Sequence, residues 1–368
     1  MKILIACDKF KGSLTAPEAC AAIREGILSA LPDVDKGMEV IPIADGGDGI
    51  ASALTESLSG EWASMEVRNA LGVPVTARFG VIDQGRTAVI EMAEASGLAR
   101  LDEKELAPGT ANTFGTGQLI RAAIEKGVTK IILGIGGSAT NDAGTGMALS
   151  LGWKFLDASQ HELTSLPQDL ERVQEIIPPR SLQLPEVLVA CDVVNPLLGP
   201  NGCTRVYGPQ KGISEADFEK HELGLSNLVT RLEAEELAAK PGAGAAGGLG
   251  FGATVFLNAS LTPGFELVAE ILKLEEAVSA ADLIITGEGR LDRQSLEGKA
   301  PFGVAQLARQ QGKSVATFCG IRGDDGLEEI FGEIIEVRDP DLSVDANMRN
   351  GKANLTAAAK AFAESLPH

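Results

Sequence analysis

The chain has 368 residues, of which 44% are hydrophobic and 23% are charged, so it is long enough to fold as two lobes with sizeable cores. Its formal charge of −19 and its pI near 4.7 argue against nucleic-acid binding, which depends on Lys and Arg neutralising phosphates. No cysteine pair has C-x-x-C spacing and no apolar run reaches the ~18 residues of a membrane helix, which predicts reduced thiols, a cytoplasmic location and no membrane insertion.

Short apolar runs alternate with longer segments that carry apolar residues at three- and four-residue spacing. The runs predicted as buried strands are residues 3–6, 39–43, 130–133, 186–190, 283–285 and 315–318. The predicted helices are residues 17–31, 112–126, 265–280 and 301–311. This alternation predicts an α/β protein with a parallel sheet.

One stretch departs from the alternation. Between residues 61 and 92, three β-rich runs follow one another, with glycine or proline at the turns. This pattern predicts an antiparallel or mixed meander that opens a second domain. The polar or Pro- and Ala-rich segments 160–185 and 230–245 are predicted to be connections or surface insertions.

Polar clusters flanked by glycine follow several predicted strands, and in open parallel sheets ligands bind outside the carboxyl ends of the strands. The first cluster, residues 8–13, has two lysines beside a helix start, which suits an anionic substrate or a solvated turn. The second, residues 44–49, puts Asp45 and Asp48 on a glycine-rich turn. Carboxylates there can bind a hard cation, accept a hydroxyl proton or cap a helix.

The third cluster, residues 134–144, follows a strand and opens a glycine-rich helix. Successive N–H groups without Cβ atoms form an anion nest, so this cluster predicts contact with phosphate. It also matches the dinucleotide fingerprint G-x-G-x-x-A, with Asp157 beyond the turn, which keeps an NAD(P)-dependent oxidoreductase of a small hydroxy acid open as an alternative. Gly144 and Gly146 interrupt the helix that follows, which disfavours that alternative.

Three further clusters are candidate ligand-binding or catalytic segments. Residues 241–250 contain G-x-G-x-x-G after helix-like residues and are either a phosphate contact or a flexible linker. Asp192 closes the strand 186–190 and can accept a hydroxyl proton, bind Mg²⁺ or form a turn. Residues 286–294 mix two carboxylates with two arginines on a predicted loop, which indicates metal or phosphate binding or a salt-bridged loop. The chain has no Walker loop.

Taken in order, these clusters resemble the bacterial glycerate kinase family. The matching stretches are residues 8–14, 44–47, 136–142, 191–196, 207–212, 244–250 and 287–292. The resemblance implies an enzyme that phosphorylates D-glycerate with ATP to give 2-phosphoglycerate. It also implies a Rossmann- or flavodoxin-like parallel-sheet domain built from both chain ends, residues 1–60 and 270–368, with a second α/β domain inserted at residues 61–269.

Phosphoryl transfer needs positioning and charge neutralisation more than covalent chemistry, so the roles of residues follow from side-chain chemistry. We predict that Asp192 is the catalytic proton acceptor and that Lys11 is a catalytic cation. The predicted substrate contacts are Lys9, Ser13, Asp45 and Arg290. The predicted ATP contacts are Gly136, Gly137, Ser138, Asn141, Gly247 and Gly248. The predicted Mg²⁺ ligands are Glu288 and Asp292.

Three positions depart from the family pattern. Family members usually carry Ser, Glu and Gly where this chain has Lys9, Asp48 and Ala143, so these three residue types are not required by the resemblance. A non-catalytic anion-binding protein is a further alternative, because the same glycine nests can serve it. The expected partner is a small-molecule substrate, and a homo-oligomer stays open.

Overall fold

The computed structural model describes residues 1–296 and 299–366. In chain order its strands are β1 (Ile3–Ile5), β2 (Met38–Val40), β3 (Glu61–Arg68), β4 (Pro74–Ile82), β5 (Thr87–Glu91), β6 (Lys130–Gly134), β7 (Lys154–Leu156), β8 (Glu175–Ile177), β9 (Glu186–Ala190), β10 (Ser260–Thr262), β11 (Leu283–Leu291), β12 (Ser314–Arg322) and β13 (Glu333–Glu336). Its helices are α1 (Ala16–Ala30), α2 (Ile50–Ser57), α3 (Ala93–Ser96), α4 (Phe114–Glu125), α5 (Thr145–Ser150), α6 (Cys203–Tyr207), α7 (Phe218–Leu232), α8 (Glu235–Ala238), α9 (Ala245–Leu257), α10 (Gly264–Ile271), α11 (Leu274–Ala280), α12 (Ala300–Gln310), α13 (Glu328–Phe331), α14 (Val344–Arg349) and α15 (Gly351–Ser365). The predicted α/β class is confirmed.

The chain divides into two compact units. Unit 1 comprises Met1–Asp45, Ser52–Ser59 and Phe265–His368, and unit 2 comprises Gly46–Ala51 and Gly60–Gly264. The last two residues of the predicted first domain, 367 and 368, lie outside the described residues. The predicted boundaries differ from these units at residues 46–51, 60 and 265–269, and the division into two separate domains stays a prediction.

The five-stranded sheet of unit 1 is parallel throughout. Its strand order is β13-β12-β11-β1-β2, which becomes 2-1-3-4-5 when the strands are counted within the unit. This is the flavodoxin-like order, in which ligands bind at the carboxyl ends of the strands where the order reverses. In unit 1 that place is the end of β1 and β11, and two of the polar clusters lie there.

Helix α1 illustrates how local sequence builds this unit. The Thr15 hydroxyl accepts a hydrogen bond from the Glu18 N–H, and the Glu18 carboxylate accepts one from the Thr15 N–H, which together form a capping box. The buried face of α1, with Ile23 at its centre, shares a core with β1 and α15. A Cβ on Gly26 would lie 2.7 Å from the Cβ of Ala359 in α15, so the close packing of the two helices depends on this glycine.

The six-stranded sheet of unit 2 has the order β10-β9-β6-β5-β4-β3. Strands β3, β4 and β5 are antiparallel neighbours, which confirms the predicted meander, and β5, β6, β9 and β10 are parallel. Strands β7 and β8 form a separate antiparallel pair. The rings of Trp153 and Phe155 pack edge-on against Phe256 of α9 in the core of this unit. Because β6 and β9 are parallel neighbours, the loops after them emerge at the same edge of the sheet.

Several predicted element boundaries are wrong. The predicted loop at 286–294 is strand as far as Leu291, because β12 pairs with β11 along this length and Gly287 lets the backbone approach the Phe318 carbonyl. The predicted helix 265–280 is two helices, because Lys273 adopts a left-handed conformation with φ of 51°. Strand β2 ends at Val40, shortly before a proline that has no N–H to donate. The predicted connections contain β8 and α8.

Candidate active site

Three charged residues of unit 1 lie together in the loops that follow β1 and β2. Lys9 Nζ lies 3.8 Å from Asp8 Oδ1 and 3.6 Å from Asp45 Oδ1, and the Lys9 N–H donates to Asp8 Oδ1 at 2.7 Å. Asp8 follows β1 and Asp45 follows β2, and the two strands are parallel neighbours. The predicted substrate contacts Lys9 and Asp45 are therefore held in one group together with Asp8.

Asp8 is the titratable group of this region that sequence reasoning did not select. Its side chain is buried, with 4% of the residue exposed. Burial, together with the nearby carboxylates Asp45 and Glu288, raises the pKa of Asp8 to about 7, although Lys9 opposes the shift. A carboxyl group with such a pKa suits proton transfer near neutral pH. The only sequence signal was an Asp at the end of the first strand.

Lys11, Ser13 and Arg290 line one cavity of about 240 Å³ in unit 1. Phe10, Gly289 and Gly320 also line it, together with residues of the chain from Val337 to Asn354. The Ser13 hydroxyl donates to the Met348 carbonyl at 2.6 Å, so this predicted substrate contact anchors the α14–α15 segment. Lys11 is exposed and makes no ion pair in the described part of the chain, which leaves its ammonium available for an anion.

The predicted metal pair does not lie on one loop, because Asp292 comes directly after the end of β11. Glu288 belongs to β11, where four residues of extended strand span about 13 Å, so the backbone alone does not bring the Asp292 carboxylate beside it. Asp292 accepts hydrogen bonds from Arg290 Nε at 2.9 Å and from the Gln294 N–H at 3.0 Å. Within residues 1–296 and 299–366, no group of three or more His, Cys, Asp or Glu side chains is arranged to hold a metal ion. A shared Mg²⁺ on this pair stays a prediction.

Glu288 nevertheless has an oxygen that is available to a ligand. The residue is 6% exposed, and burial raises the pKa of its carboxyl group. Its Oε2 lies 3.3 Å from Lys299 Nζ, while its buried Oε1 has no hydrogen-bond partner among the described residues. A buried carboxylate oxygen without a partner is rare, and a cation is one ligand that fits it.

In unit 2 the glycine-rich loops pack directly against one another. A Cβ on Gly136 would lie 2.8 Å from the Gly47 Cα, and one on Gly137 would lie 2.6 Å from Asp48 Oδ1. On the other side of the loop, a Cβ on Gly247 would overlap the Thr140 carbonyl oxygen. The structure therefore brings the second and third clusters and the 244–250 run together within this unit.

Gly247 and Gly248 are not part of a flexible linker. Both are buried, and they adopt positive φ angles of 68° and 86° at the start of α9. The Gly247 carbonyl accepts a hydrogen bond from the Ala143 N–H at 3.0 Å. Close backbone packing thus explains these glycines, and their predicted contact with ATP stays a prediction.

Asp192 is exposed, two residues after the end of β9. Its Oδ1 accepts a hydrogen bond from the Gly264 N–H at 2.7 Å, and its Oδ2 lies close to Gly46, whose Cβ would be 2.6 Å away. The carboxylate therefore joins two loops of unit 2 at the edge where parallel strands end. This placement is compatible with both the predicted catalytic role and the turn role.

The third cluster is held by a residue that sequence reasoning missed. Lys211, from the 207–212 stretch of the family resemblance, is buried and donates from Nζ to Ser138 Oγ and to the Thr140 carbonyl, both at 2.7 Å. Asn141 Nδ2 donates to Thr204 Oγ1 at 3.1 Å. Two predicted ATP contacts are thus held by hydrogen bonds with the region of α6: Ser138 by Lys211, and Asn141 by Thr204. The signal available in the sequence was the family stretch itself, to which no role was assigned.

The dinucleotide alternative does not agree with this geometry. Asp157 Oδ1 accepts hydrogen bonds from the Ser159 and His161 N–H groups, and its Oδ2 lies 3.2 Å from Arg172. Both oxygens of the carboxylate are therefore used in local contacts, with the turn that follows Asp157 and with Arg172. Asp157 also follows β7 of the small two-stranded sheet, whereas the glycine loop follows β6 of the large sheet, and a dinucleotide fold needs both on one sheet.

A flavodoxin-ordered unit with a carboxylate and lysine group at its ligand edge, and a second unit with packed glycine loops, define an α/β enzyme built for anionic small molecules. The family model "Glycerate kinase family" matches residues 3–366. A glycerate kinase of Halalkalibacterium halodurans is 41% identical over 372 residues, which cover 98% of this chain and 97% of that protein. The chain belongs to the glycerate kinase family, and it is a kinase.

Two further relatives agree with this assignment. A glycerate 2-kinase of Escherichia coli K12 is 39% identical over 380 residues, covering 100% of this chain and 98% of that protein. A crystal structure from Salmonella typhimurium LT2, of a protein assigned as glycerate kinase 2, superposes with a TM-score of 0.88 at 37% identity and covers 99% of this chain and 97% of that one. These matches support phosphorylation of glycerate.

Two observations bear on the surroundings of the protein. All five cysteines are free thiols. Among the described residues, none of the helices combines the length and the apolar character that crossing a membrane requires.

Proposed function

We propose that this protein transfers the γ-phosphoryl group of ATP to the 2-hydroxyl of D-glycerate, giving 2-phosphoglycerate. The observation that carries the proposal is the full-length match to a relative named glycerate 2-kinase. The charge arrangement of unit 1 supports it, because Lys9 and Lys11 suit an anionic acceptor and Asp8 and Asp45 suit its hydroxyl groups.

Two carboxylates are candidates for taking the hydroxyl proton. Asp192 is the sequence prediction, and the hydrogen bond that it accepts from the Gly264 N–H restrains its carboxylate two residues after β9. Asp8 is the second candidate, because its pKa of about 7 makes it partly ionised at neutral pH. Lys11 is proposed to hold the glycerate carboxylate or the transferred phosphate, with Lys9, Ser13, Asp45 and Arg290 as further substrate contacts.

Gly136, Gly137, Ser138, Asn141, Gly247 and Gly248 are proposed to contact ATP phosphates through the loops that carry them. Mg²⁺, when bound, would neutralise phosphate charge, and Glu288 is the residue whose unpartnered oxygen fits it best. If Glu288 and Asp292 share the ion, Glu288→Gln and Asp292→Asn should both raise the Mg²⁺ concentration needed for half-maximal rate. An effect of Glu288→Gln alone would remove Asp292 from the site.

The proposal is tested against its alternatives by measuring binding and turnover separately. Purified protein is titrated with ATP and with NADH, and ADP release is followed with and without D-glycerate. Glycerate-dependent ADP release with no tight NADH binding is the expected result. Tight NADH binding without ADP release would favour the oxidoreductase, and anion binding without any turnover would favour the non-catalytic protein. A cytoplasmic location and a homo-oligomer are further proposals, which fractionation and light scattering check.

A further inference from the structure

Lys211 is a buried cation without a direct counter-ion among the described residues. Only 1% of the residue is exposed, and its two hydrogen-bond acceptors, the Ser138 hydroxyl and the Thr140 carbonyl, are both neutral. An ammonium group has three donors, so one remains beyond these two bonds. Buried charges are normally paired, because an unpaired charge loses its hydration without compensation.

Asp142, the carboxylate that acts on Lys211 electrostatically, does not supply that pairing. Asp142 is fully buried, and its oxygens accept hydrogen bonds from the Thr113 N–H, the Thr113 hydroxyl, and the N–H groups of Gly144 and Gly146. These neutral donors saturate it, so it acts on Lys211 only through space. Burial lowers the pKa of Lys211 to about 8, while Cys203 and Asp142 raise it, and the side chain therefore carries its proton at pH 7.

The loop beside Lys211 also holds donors that the protein does not use. The main-chain N–H groups of Gly137, Ser138, Thr140 and Asn141 donate to none of the described residues, although the last three residues are buried. The buried Thr140 hydroxyl has no partner there either. Ser138 accepts from Lys211, which leaves its own O–H available to donate. A buried donor without an acceptor, such as the Thr140 hydroxyl, is rare in folded proteins.

Unpaired donors on one loop, with an uncompensated cation hydrogen-bonded to that loop, are what an anionic oxygen group requires. We propose that residues 136–141 form an oxyanion subsite and that Lys211 supplies its positive charge, acting through the Ser138 hydroxyl. The ligand is a phosphate of the nucleotide or the carboxylate of glycerate, which share this chemistry. The inference rests on the proposed function, since that function brings both anions to the enzyme. Lys211 is a positioning residue, because it holds Ser138 and the loop.

The test measures the binding of ADP and of D-glycerate separately by calorimetry at pH 7.5. Lys211→Met is compared with wild type and with Lys126→Met, which removes an exposed lysine at the end of α4, about 18 Å along that helix from its first turn. We expect Lys211→Met to weaken one ligand by about 10- to 100-fold and Lys126→Met to change neither. The ligand that weakens identifies the oxyanion. Unchanged affinity for both ligands in a folded Lys211→Met protein overturns the proposal.

The pH dependence of binding separates charge supply from mere structural support. Wild-type affinity should fall as pH rises from 7.5 to 9.5, because Lys211 loses its proton, and Lys211→Met should show no such fall. Cys203, the other group facing Lys211 from α6, keeps its proton in this range because burial raises its pKa to about 12. Asp142, the remaining neighbour, is present in both proteins, so their difference isolates Lys211. Equal pH profiles for the two proteins would contradict the proposal.

Two controls keep the result interpretable. If Lys211→Met does not fold, Ser138→Ala removes the linking hydroxyl instead and should weaken the same ligand and flatten its pH dependence, whereas an unaltered profile overturns the proposal. A wild-type protein that binds an oxyanion in this pH-dependent way but never phosphorylates glycerate would refute the proposed function and leave the subsite standing. Normal turnover without any dependence on Lys211 would refute the subsite alone.

Discussion

The loops at the predicted binding regions of the two units differ in the chemical groups they contain. In unit 1 the chemistry lies in charged side chains at strand ends, with Lys9 held between Asp8 and Asp45. In unit 2 the loops are rich in glycine, and the absence of a side chain at Gly136 and at Gly247 allows the loop backbones to pack against one another. An isosteric change in unit 1 therefore tests chemistry in an intact fold, whereas a side chain added to the loops of unit 2 tests the fold itself.

The largest expected effect is that of Gly247→Ala. Gly247 has φ of 68°, and a Cβ there would overlap the Thr140 carbonyl oxygen, so backbone strain and a steric clash act together. We expect a free energy of unfolding lower by about 3 kcal/mol or more, or no folded protein. Gly127→Ala is the matched control, because Gly127 has φ of 81° but open space around it, and it should cost about 1 kcal/mol. Equal losses in urea unfolding would refute the packing account of unit 2.

A smaller effect, on rate rather than folding, is expected for Asp192→Asn. Asn keeps an oxygen that can accept the Gly264 N–H, so the loop should stay in place. If Asp192 takes the hydroxyl proton, kcat should fall by at least about a hundredfold while ADP still binds. Steady-state kinetics and ADP calorimetry on the folded variant check this. A near-normal kcat would make Asp192 a turn residue and move the proton acceptor to Asp8.

Asp8→Asn should stabilise the protein at alkaline pH. The pKa of Asp8 is about 7 in the folded protein and about 3.9 in an unfolded chain, so the folded state holds the proton more tightly. The free energy of unfolding therefore decreases as the pH rises from about 4 through 7, and an amide removes that decrease. We expect a gain on the order of 2 kcal/mol over wild type at pH 8, measured by thermal unfolding. Identical pH–stability profiles would contradict the raised pKa of this buried carboxyl group.

The smallest effect is expected for Lys11→Met. Lys11 is exposed and lines the cavity of unit 1, so its removal should weaken an anion without disturbing packing. We expect the KM for glycerate to rise by about tenfold with little change in kcat. Lys36→Met removes another exposed lysine of unit 1 and should leave both constants unchanged. A fall in kcat at constant KM would instead assign Lys11 to the transferred phosphate.

Much of the fold follows from local patterns, and the departures have physical causes that local patterns do not carry. The apolar run of β9 is predicted to the residue, and the meander of unit 2 is predicted from its turns. The strand character of 286–291 depends on pairing with β12, and the break at Lys273 involves neither glycine nor proline. A polar, glycine-rich segment looks like a loop until its neighbouring strand is known.

The polar clusters were identified from sequence, but their environments depend on tertiary packing. Burial, which raises the pKa of Asp8, is contributed by residues distant in the sequence. Lys211 reads as an exposed lysine beside glycine, and only the fold buries it against the loop at 138–140. Sequence therefore predicts which residue types reach the sheet edges, while their protonation and pairing require the folded chain.

The central claim is tested most directly by ³¹P NMR of the reaction product. Purified protein is incubated with ATP, Mg²⁺ and D-glycerate, and the phosphorus resonances are followed against authentic 2- and 3-phosphoglycerate. The account predicts that ATP converts to ADP while the 2-phosphoglycerate resonance grows in equal amount. Phosphate on the 3-hydroxyl, or no glycerate-dependent loss of ATP, would contradict it.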